Sequence, residues 1–479
     1  MLFNSVSFLI FLPVVFVLYW FVIKNNLKWQ NLLLLCASYY FYASWDYRFL
    51  FLLIFSTVLD YGTGIMMEKS NTLTKRRFWF WTSVIINLGF LAVFKYYNFF
   101  ITSFEQALSQ LGISINVWTL KVILPVGISF YTFHGLSYVI DIYKDKIKAE
   151  RNFVDYSLFV SYFPLLVAGP IERATHLLPQ IKQKRSFKSD DAIKGIELIV
   201  WGFFKKVVIA DTLSIIVNQV YTDSEHYGSE ALMIGAIGFS FQIYCDFSGY
   251  SDIAIGTSKL LGIDLIQNFN FPYLSRNIAE FWRRWHISLS TWFRDYLYIP
   301  LGGSKVSKLL SVRNVFIIFL VSGIWHGANW TFLTWGAIHA IFFIPSFLIG
   351  SNRKYKEDIV HPNKLLPSFR DIFQIMITFF FVTVAWVFFR AETLTQAFQY
   401  ISSILFNRAG KSLIISNVDI ISYGIIFAVF FSTSVYFLYR KNKLVANHHY
   451  IRFVLSLILL ILIALFGQFS KQSFIYFQF

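Results

Sequence analysis

Charge is scarce in this chain. Asp, Glu, Lys and Arg make up 14% of its 479 residues, where a soluble chain carries about 25%. The shortfall excludes an ordinary water-soluble domain. It is also not confined to one anchor, because apolar runs near the ~20 residues that cross a bilayer recur from Val6 to Phe466. There are only two cysteines, Cys36 and Cys245, far apart in apolar stretches. They offer neither a disulfide framework nor the spacing of a metal site, so no metal is expected. Val6–Ile23 has no basic segment before it and no small-residue cleavage site after it, so it reads as a first span and not as a cleaved leader. Repeats, low-complexity runs and a separate soluble domain are also missing, and residues 1–479 read as one integral-membrane domain.

Aromatic side chains are abundant, at 20%, with 56 Phe, 27 Tyr and 14 Trp. Some are expected at the lipid–water boundaries. The net charge of +16 does not point to nucleic acid. In a membrane chain, basic loops are the cytoplasmic signal, and they suggest anionic lipid at the inner face. Clusters occur at Lys69–Arg77, Lys144–Arg151, Lys182–Lys194, Arg353–Lys364 and Arg440–Lys443. Thr102–Trp118 and Thr222–Glu230 lack Lys and Arg and are expected outside. The parity closes with both ends outside. Phe153–Ala168 lies between two basic clusters and is expected to be re-entrant or interfacial. The expected fold is an all-α polytopic membrane protein of about eleven transmembrane helices plus re-entrant pieces.

The middle of the chain, Ser248–Arg313, is too charged to span and too aromatic for a disordered loop. Within it, Phe281–Tyr298 places Trp282, Trp285, Leu289, Trp292, Phe293 and Tyr296 near one helical face, as in a helix lying along the inner interface. Irregular backbone at membrane depth requires protein or a water-filled cavity around it, so this middle is expected to build a cavity within a core of residues 246–345.

The strongest single feature is SGIWHGANW, Ser322–Trp330. The apolar run Asn314–Trp325 follows Lys305, Lys308 and Arg313. Its helical rise of about 18 Å places His326 more than halfway through a hydrocarbon core of about 30 Å. Ionisable groups at that depth are costly and usually functional, and imidazole suits proton abstraction. Trp325, Asn329 and Trp330 are the candidate pocket wall and the candidate orienting amide. His286 is the second candidate, beside Arg283 and Arg284, which suit donor phosphates or lipid headgroups equally well. His134 and His339 read as satisfied core histidines.

These residues, with Ser275–Ser304, Leu166–Ile181, Trp201–Asp211 and Tyr244–Gly256, closely resemble the membrane-bound O-acyltransferase family. The nearest branch is the bacterial one, which serves alginate O-acetylation and teichoic acid D-alanylation. The resemblance implies a ring of transmembrane helices around a central funnel or tunnel, with a cytosolic entrance for an acyl thioester and an outer entrance for the acceptor. It implies that His326 is the family's invariant histidine and His286 its more variable one. It further implies acetyl-CoA as the donor substrate, no bound cofactor, an extracytoplasmic polysaccharide acceptor, a secreted SGNH-type partner enzyme and a bacterial inner-membrane location. A carrier-protein donor for D-alanine stays open, as does a transporter or flippase of similar outline. The outer-side tail, residues 467–479, ends in Phe474-Ile-Tyr-Phe-Gln-Phe. It is too aromatic to float in water and is expected to fold back into the outer funnel. There Tyr476 is either a transient acyl acceptor or part of an aromatic plug.

Overall fold

A computed structural model describes residues 1–24, 26–120, 123–166, 169–355, 367–414, 416–441, 449–469 and 474–475. Among these residues there is no strand, only an isolated bridge between Tyr227 and Lys411. Seven helices among the described residues are long and apolar enough to cross a membrane, and Val6–Val22 and Tyr450–Phe466 are shorter apolar helices. The all-helical polytopic expectation therefore holds. The chain packs as two units, Met1–Ile196 with Ala254–Ile266 and Glu197–Ile253 with Gln267–Phe479.

The first unit holds α1 (Val6–Val17), α2 (Leu27–Ala43), α3 (Tyr47–Lys69), α4 (Leu73–Leu91), α5 (Tyr97–Gln110), α6 (Ile128–Tyr143), α7 (Phe153–Ser161), α8 (Phe163–Leu166) and α9 (Ala174–Lys182). Local sequence sets the starts. The side chains of Ser5, Asn26, Asp46 and Thr72 each accept a first-turn N–H of the helix that follows, meeting donors that have no partner inside the helix. Helix α6 begins at Ile128. Gly127, at φ +73, starts it, and a Cβ there would lie 2.1 Å from the Leu166 carbonyl oxygen. Residues 153–166 form the short helices α7 and α8, broken at Tyr162. Neither reaches the length of a membrane span.

The second unit takes in α10 (Ser189–Phe203) and α12 (Ser229–Leu260), each of which shares residues with the first, and α11 (Asp211–Thr222). After them come α13 (Ile278–Arg284), α14 (Ile287–Phe293), α15 (Lys308–His326), α16 (Trp330–Leu348), α17 (Phe369–Arg390), α18 (Leu394–Leu405), α19 (Asn417–Lys441) and α20 (His449–Phe466). Two expectations are corrected here. Helix α12 runs on into the stretch Ser248–Arg313, expected to be too charged to span, because its carboxylates have partners. Lys205 Nζ lies 2.6 Å from Asp252, and Lys206 Nζ lies 2.8 Å from Asp246 and 2.7 Å from Asp211. Phe281–Tyr298 is not one interfacial helix. It is cut at Trp285–His286, and Trp285, Leu289, Trp292 and Phe293 are buried in protein.

Helices α15 and α16 form an antiparallel pair that meets at two glycines. A Cβ on Gly323 would lie 2.4 Å from the Phe332 carbonyl oxygen, and one on Gly336 would lie 2.3 Å from that of Phe319. Backbone faces both positions, so no side chain can swing away. Gly336→Ala is expected to cost about 1–3 kcal/mol as an overpacked contact. Thermal unfolding of the purified protein in detergent measures it, and an unchanged midpoint would show that the two helices can part at little cost.

Candidate active site

Helix α15 begins at Ser307, whose hydroxyl accepts the Leu310 N–H at 3.4 Å, and ends at His326. Gly327 then leaves the helix in an extended conformation. His326 is thus the last residue of an apolar helix, 3% exposed. It is walled by rings: Trp325 at 4.9 Å, Trp335 at 5.0 Å and Phe389 at 5.3 Å between centroids, all edge-on. Trp335 stacks on Trp386 at 5.6 Å, and Trp386 lies 5.0 Å from Trp285. Trp325 was expected beside His326; Trp335, Trp386 and Phe389 were not singled out from sequence. They come from α16 and α17, and only the packing of those helices against α15 brings them in.

His286 is fully buried at the cut between α13 and α14. Its ring lies 5.8 Å from Trp325 and 4.6 Å from Phe247, edge-on to both. The two histidines therefore flank one indole. The structure brings Trp325, His286 and His326 together.

The remaining candidates lie elsewhere. Asn329 caps α16, its Oδ1 accepting the Thr331 N–H at 3.1 Å, while its amide donates to the Glu392 carbonyl at 2.9 Å. Its polar atoms are engaged in starting α16 and in tying the α15–α16 turn to the turn after α17. Trp330 is the first residue of α16 and 52% exposed. Arg284 is buried and donates to Glu280 at 2.6 Å. Arg283 donates to the backbone oxygens of Asn352 at 2.7 Å and Tyr355 at 3.0 Å. His339 accepts the indole N–H of Trp282 at 3.2 Å. His134 accepts the Glu172 N–H at 3.1 Å. Tyr476 lies outside the described residues. Of the tail, Phe474 and Ile475 are buried: Phe474 packs 4.6 Å from Tyr250 and 5.8 Å from Phe247, and the Ile475 N–H donates to Asp246 at 2.7 Å. No group of three or more metal-ligating side chains occurs among the described residues.

A cavity of about 340 Å³ opens among α13, α14, α15 and α16; its lining reaches Ser322 but includes neither His326 nor His286. Its walls are mainly apolar, including Trp282, Phe293, Phe319 and Phe343, and its lining also includes Arg283, Arg294 and Arg353. Arg294 and Arg353 are exposed, whereas Ser322, which also lines it, is buried. Ser322 precedes His326 by four residues, so it lies one turn below the imidazole on the same face of α15.

Seven helices among the described residues, long and apolar enough to cross a membrane, define a multi-pass membrane protein, and the histidine buried at the end of one of them is its candidate reaction site. Residues 144–388 match the description "MBOAT, membrane-bound O-acyltransferase family". The protein named probable alginate O-acetylase AlgI of Pseudomonas syringae pv. tomato is 41% identical over 83% of this chain and 74% of its own. The peptidoglycan O-acetyltransferase of Helicobacter pylori is 35% identical over 85% of this chain and 80% of its own. The teichoic acid D-alanyltransferase of Bacillus subtilis is 32% identical over 56% of this chain and 69% of its own. The chain belongs to the membrane-bound O-acyltransferase family. It is an acyltransferase, and the transporter reading falls with that assignment.

Proposed function

We propose that this protein takes an acetyl group from a cytosolic thioester, acetyl-CoA, for O-acetylation of an extracytoplasmic polysaccharide. The polysaccharide is reached directly or through a secreted SGNH-type partner, and the site lies in the bacterial inner membrane. The observation that carries the reading is the cavity whose lining runs from exposed Arg294 and Arg353 to buried Ser322, one turn below His326. Lys308 and Arg313 lie in the first turns of the same helix and Lys305 just before it, which supports a cytosolic lower end. Arg353 and Arg294 then suit the phosphates of the donor, and the apolar walls suit its pantetheine arm and acetyl group. His326 takes the proton of the acceptor hydroxyl. The oxygen attacks the thioester carbonyl carbon, the new C–O bond forms as the C–S bond breaks, and the imidazolium returns the proton to the thiolate. Helix α15 holds the base at a fixed height, and the narrow cavity brings the carbonyl to it, which is where most of the rate comes from in such an arrangement. The relatives of higher identity are named for acetyl transfer, and D-alanyl transfer is the second reading.

The acetyl ester content of envelope and exported glycans, in native cells carrying each variant, is the readout. Deleting the gene is expected to lower it, and restoring the wild-type chain to recover it. Ser322→Trp fills the space below His326 and is expected to lower transfer by about 10²-fold, the cost of misplacing reacting groups by about 1 Å. A correctly inserted Ser322→Trp protein with normal activity would take this cavity off the donor path. Acetyl content that ignores deletion of the gene would end the proposal.

A further inference from the structure

His286 sits at φ +42, a left-handed conformation uncommon for any residue but glycine. One residue, Asn268, holds it there. The Asn268 carbonyl accepts the Ile287 N–H at 2.9 Å. The Asn268 side-chain oxygen accepts the Ser288 N–H at 3.3 Å and the Ser288 hydroxyl at 2.9 Å, and it lies 3.1 Å from His286 Nδ1. The amide nitrogen donates to the Ser251 hydroxyl at 3.2 Å. Asn268 and His286 are both fully buried.

This pattern decides which ring nitrogen carries the proton. A backbone N–H only donates, so the amide atom facing Ser288 is the oxygen. An amide oxygen only accepts, so His286 Nδ1 must be the N–H. A neutral imidazole has one such proton, which leaves a lone pair on Nε2. That atom is buried and has no hydrogen-bond partner among the described residues. A buried acceptor of this kind is costly unless something supplies the hydrogen.

We propose that Asn268 is a positioning residue that fixes His286 as the Nδ1–H tautomer, so that Nε2 accepts a hydrogen bond from an N–H or O–H group of a substrate in the reaction proposed above. Two groups share that chemistry: an amide N–H of the donor's pantetheine arm and the hydroxyl of the acceptor. The neighbouring rings of Phe247 and Trp325 carry no charge, and the Ser288 hydroxyl, 3.4 Å from Nδ1, gives its proton to the same Asn268 oxygen at 2.9 Å, so the tautomer is set by this amide. His286 and His326 then act from two sides of Trp325, the former by accepting a hydrogen bond and the latter by taking a proton.

Two variants test it. Asn268→Leu keeps much of the volume and removes the acceptor. Asn268→Asp keeps the acceptor and places a carboxylate beside Nδ1. In purified full-length protein labelled with ¹⁵N-histidine, the His286 signals are identified by their loss in His286→Gln. Wild type is expected to show an unprotonated Nε2, and Asn268→Leu a mixture of tautomers. Asn268→Leu is expected to lose about tenfold in kcat/KM, the worth of one hydrogen bond. A raised KM for acetyl-CoA assigns the bond to the pantetheine amide, and a raised KM for the acceptor assigns it to the hydroxyl. Asn268→Asp favours the charged imidazole, so activity is expected to be lost at a higher pH than in wild type as the pH falls. A purely structural asparagine would leave that limb where it was. Wild-type His286 carrying its proton on Nε2, or an Asn268→Asp protein with an unmoved acid limb, would overturn the proposal, whether or not Asn268→Leu folds. Transfer that survives His326→Ala alongside the Nδ1–H tautomer would instead sink the reaction assignment and leave the tautomer lock standing.

Discussion

His326→Ala is expected to lower acyl transfer by about 10²–10⁴-fold, the range that a positioned general base contributes. Two features make so large a loss from one side chain reasonable. The imidazole is the last residue of α15, and Gly327 turns the chain away immediately after it, so no neighbouring residue can take over its position. The surrounding rings of Trp325, Trp335 and Phe389 offer no second base. Removing the ring also leaves a hole among those aromatics, so His326→Gln, which refills part of the volume without a comparable base, should accompany it. Both variants are expected to insert and purify in normal amount and to lose activity together. Thermal unfolding in detergent, read beside the acetyl ester content of the glycan, separates the two effects. A well-folded His326→Ala protein that keeps more than about a tenth of the activity would fall outside what loss of a general base produces and would refute the role.

How much of this was legible in the sequence depends on how local the cause is. The place of His326 at the far end of an apolar helix was readable, because a basic start and an apolar run of known rise need no knowledge of neighbours. The end of its helix is marked by Gly327, the residue directly after it. The break at His286 was not readable, because its cause is Asn268, 18 residues away, and an amphipathic stripe looks the same whether or not the backbone bends within it. Arg284 could have been read better. Glu280 stands four residues before it and four after Arg276, the spacing at which helical side chains meet, and both arginines pair with that acid. Asn329 before Trp330 likewise carries the signature of a helix cap, a more local explanation for an asparagine than a catalytic one. The aromatic wall was beyond reach. Abundant Phe and Trp announce a packed interior, but which rings face His326 depends on how α16 and α17 lie against α15.

Glu280→Ala should be the most damaging change to stability. Glu280 is fully buried on α13 between two buried arginines. One of its oxygens lies 3.0 Å from Arg276 Nη2 and 2.6 Å from Arg284 Nη2, and the other accepts the Arg276 backbone N–H at 2.8 Å. Its own N–H is capped by Asn277 at 2.8 Å. Removing the carboxylate takes from Arg284 an acid 2.6 Å away and leaves Arg276 with the more distant Asp371, at 3.8 Å, in low dielectric. Breaking a buried pair in this way costs about 3–5 kcal/mol, a large share of a total folding stability of about 5–15 kcal/mol. Glu280→Gln keeps the volume and one acceptor and is expected to cost less. Adding Arg284→Met to Glu280→Gln should recover part of the loss, because the stranded charge is then gone. The damage should also reach the reaction, since Ala279, Trp282 and Arg283 of the same helix line the cavity and His286 follows directly after it. The signature differs from that of His326→Ala: activity and thermal midpoint fall together, and one second-site change restores part of both. A Glu280→Ala protein with a normal midpoint would mean that water or lipid headgroups reach Arg276 and Arg284 and that the cluster is not the dry anchor of α13.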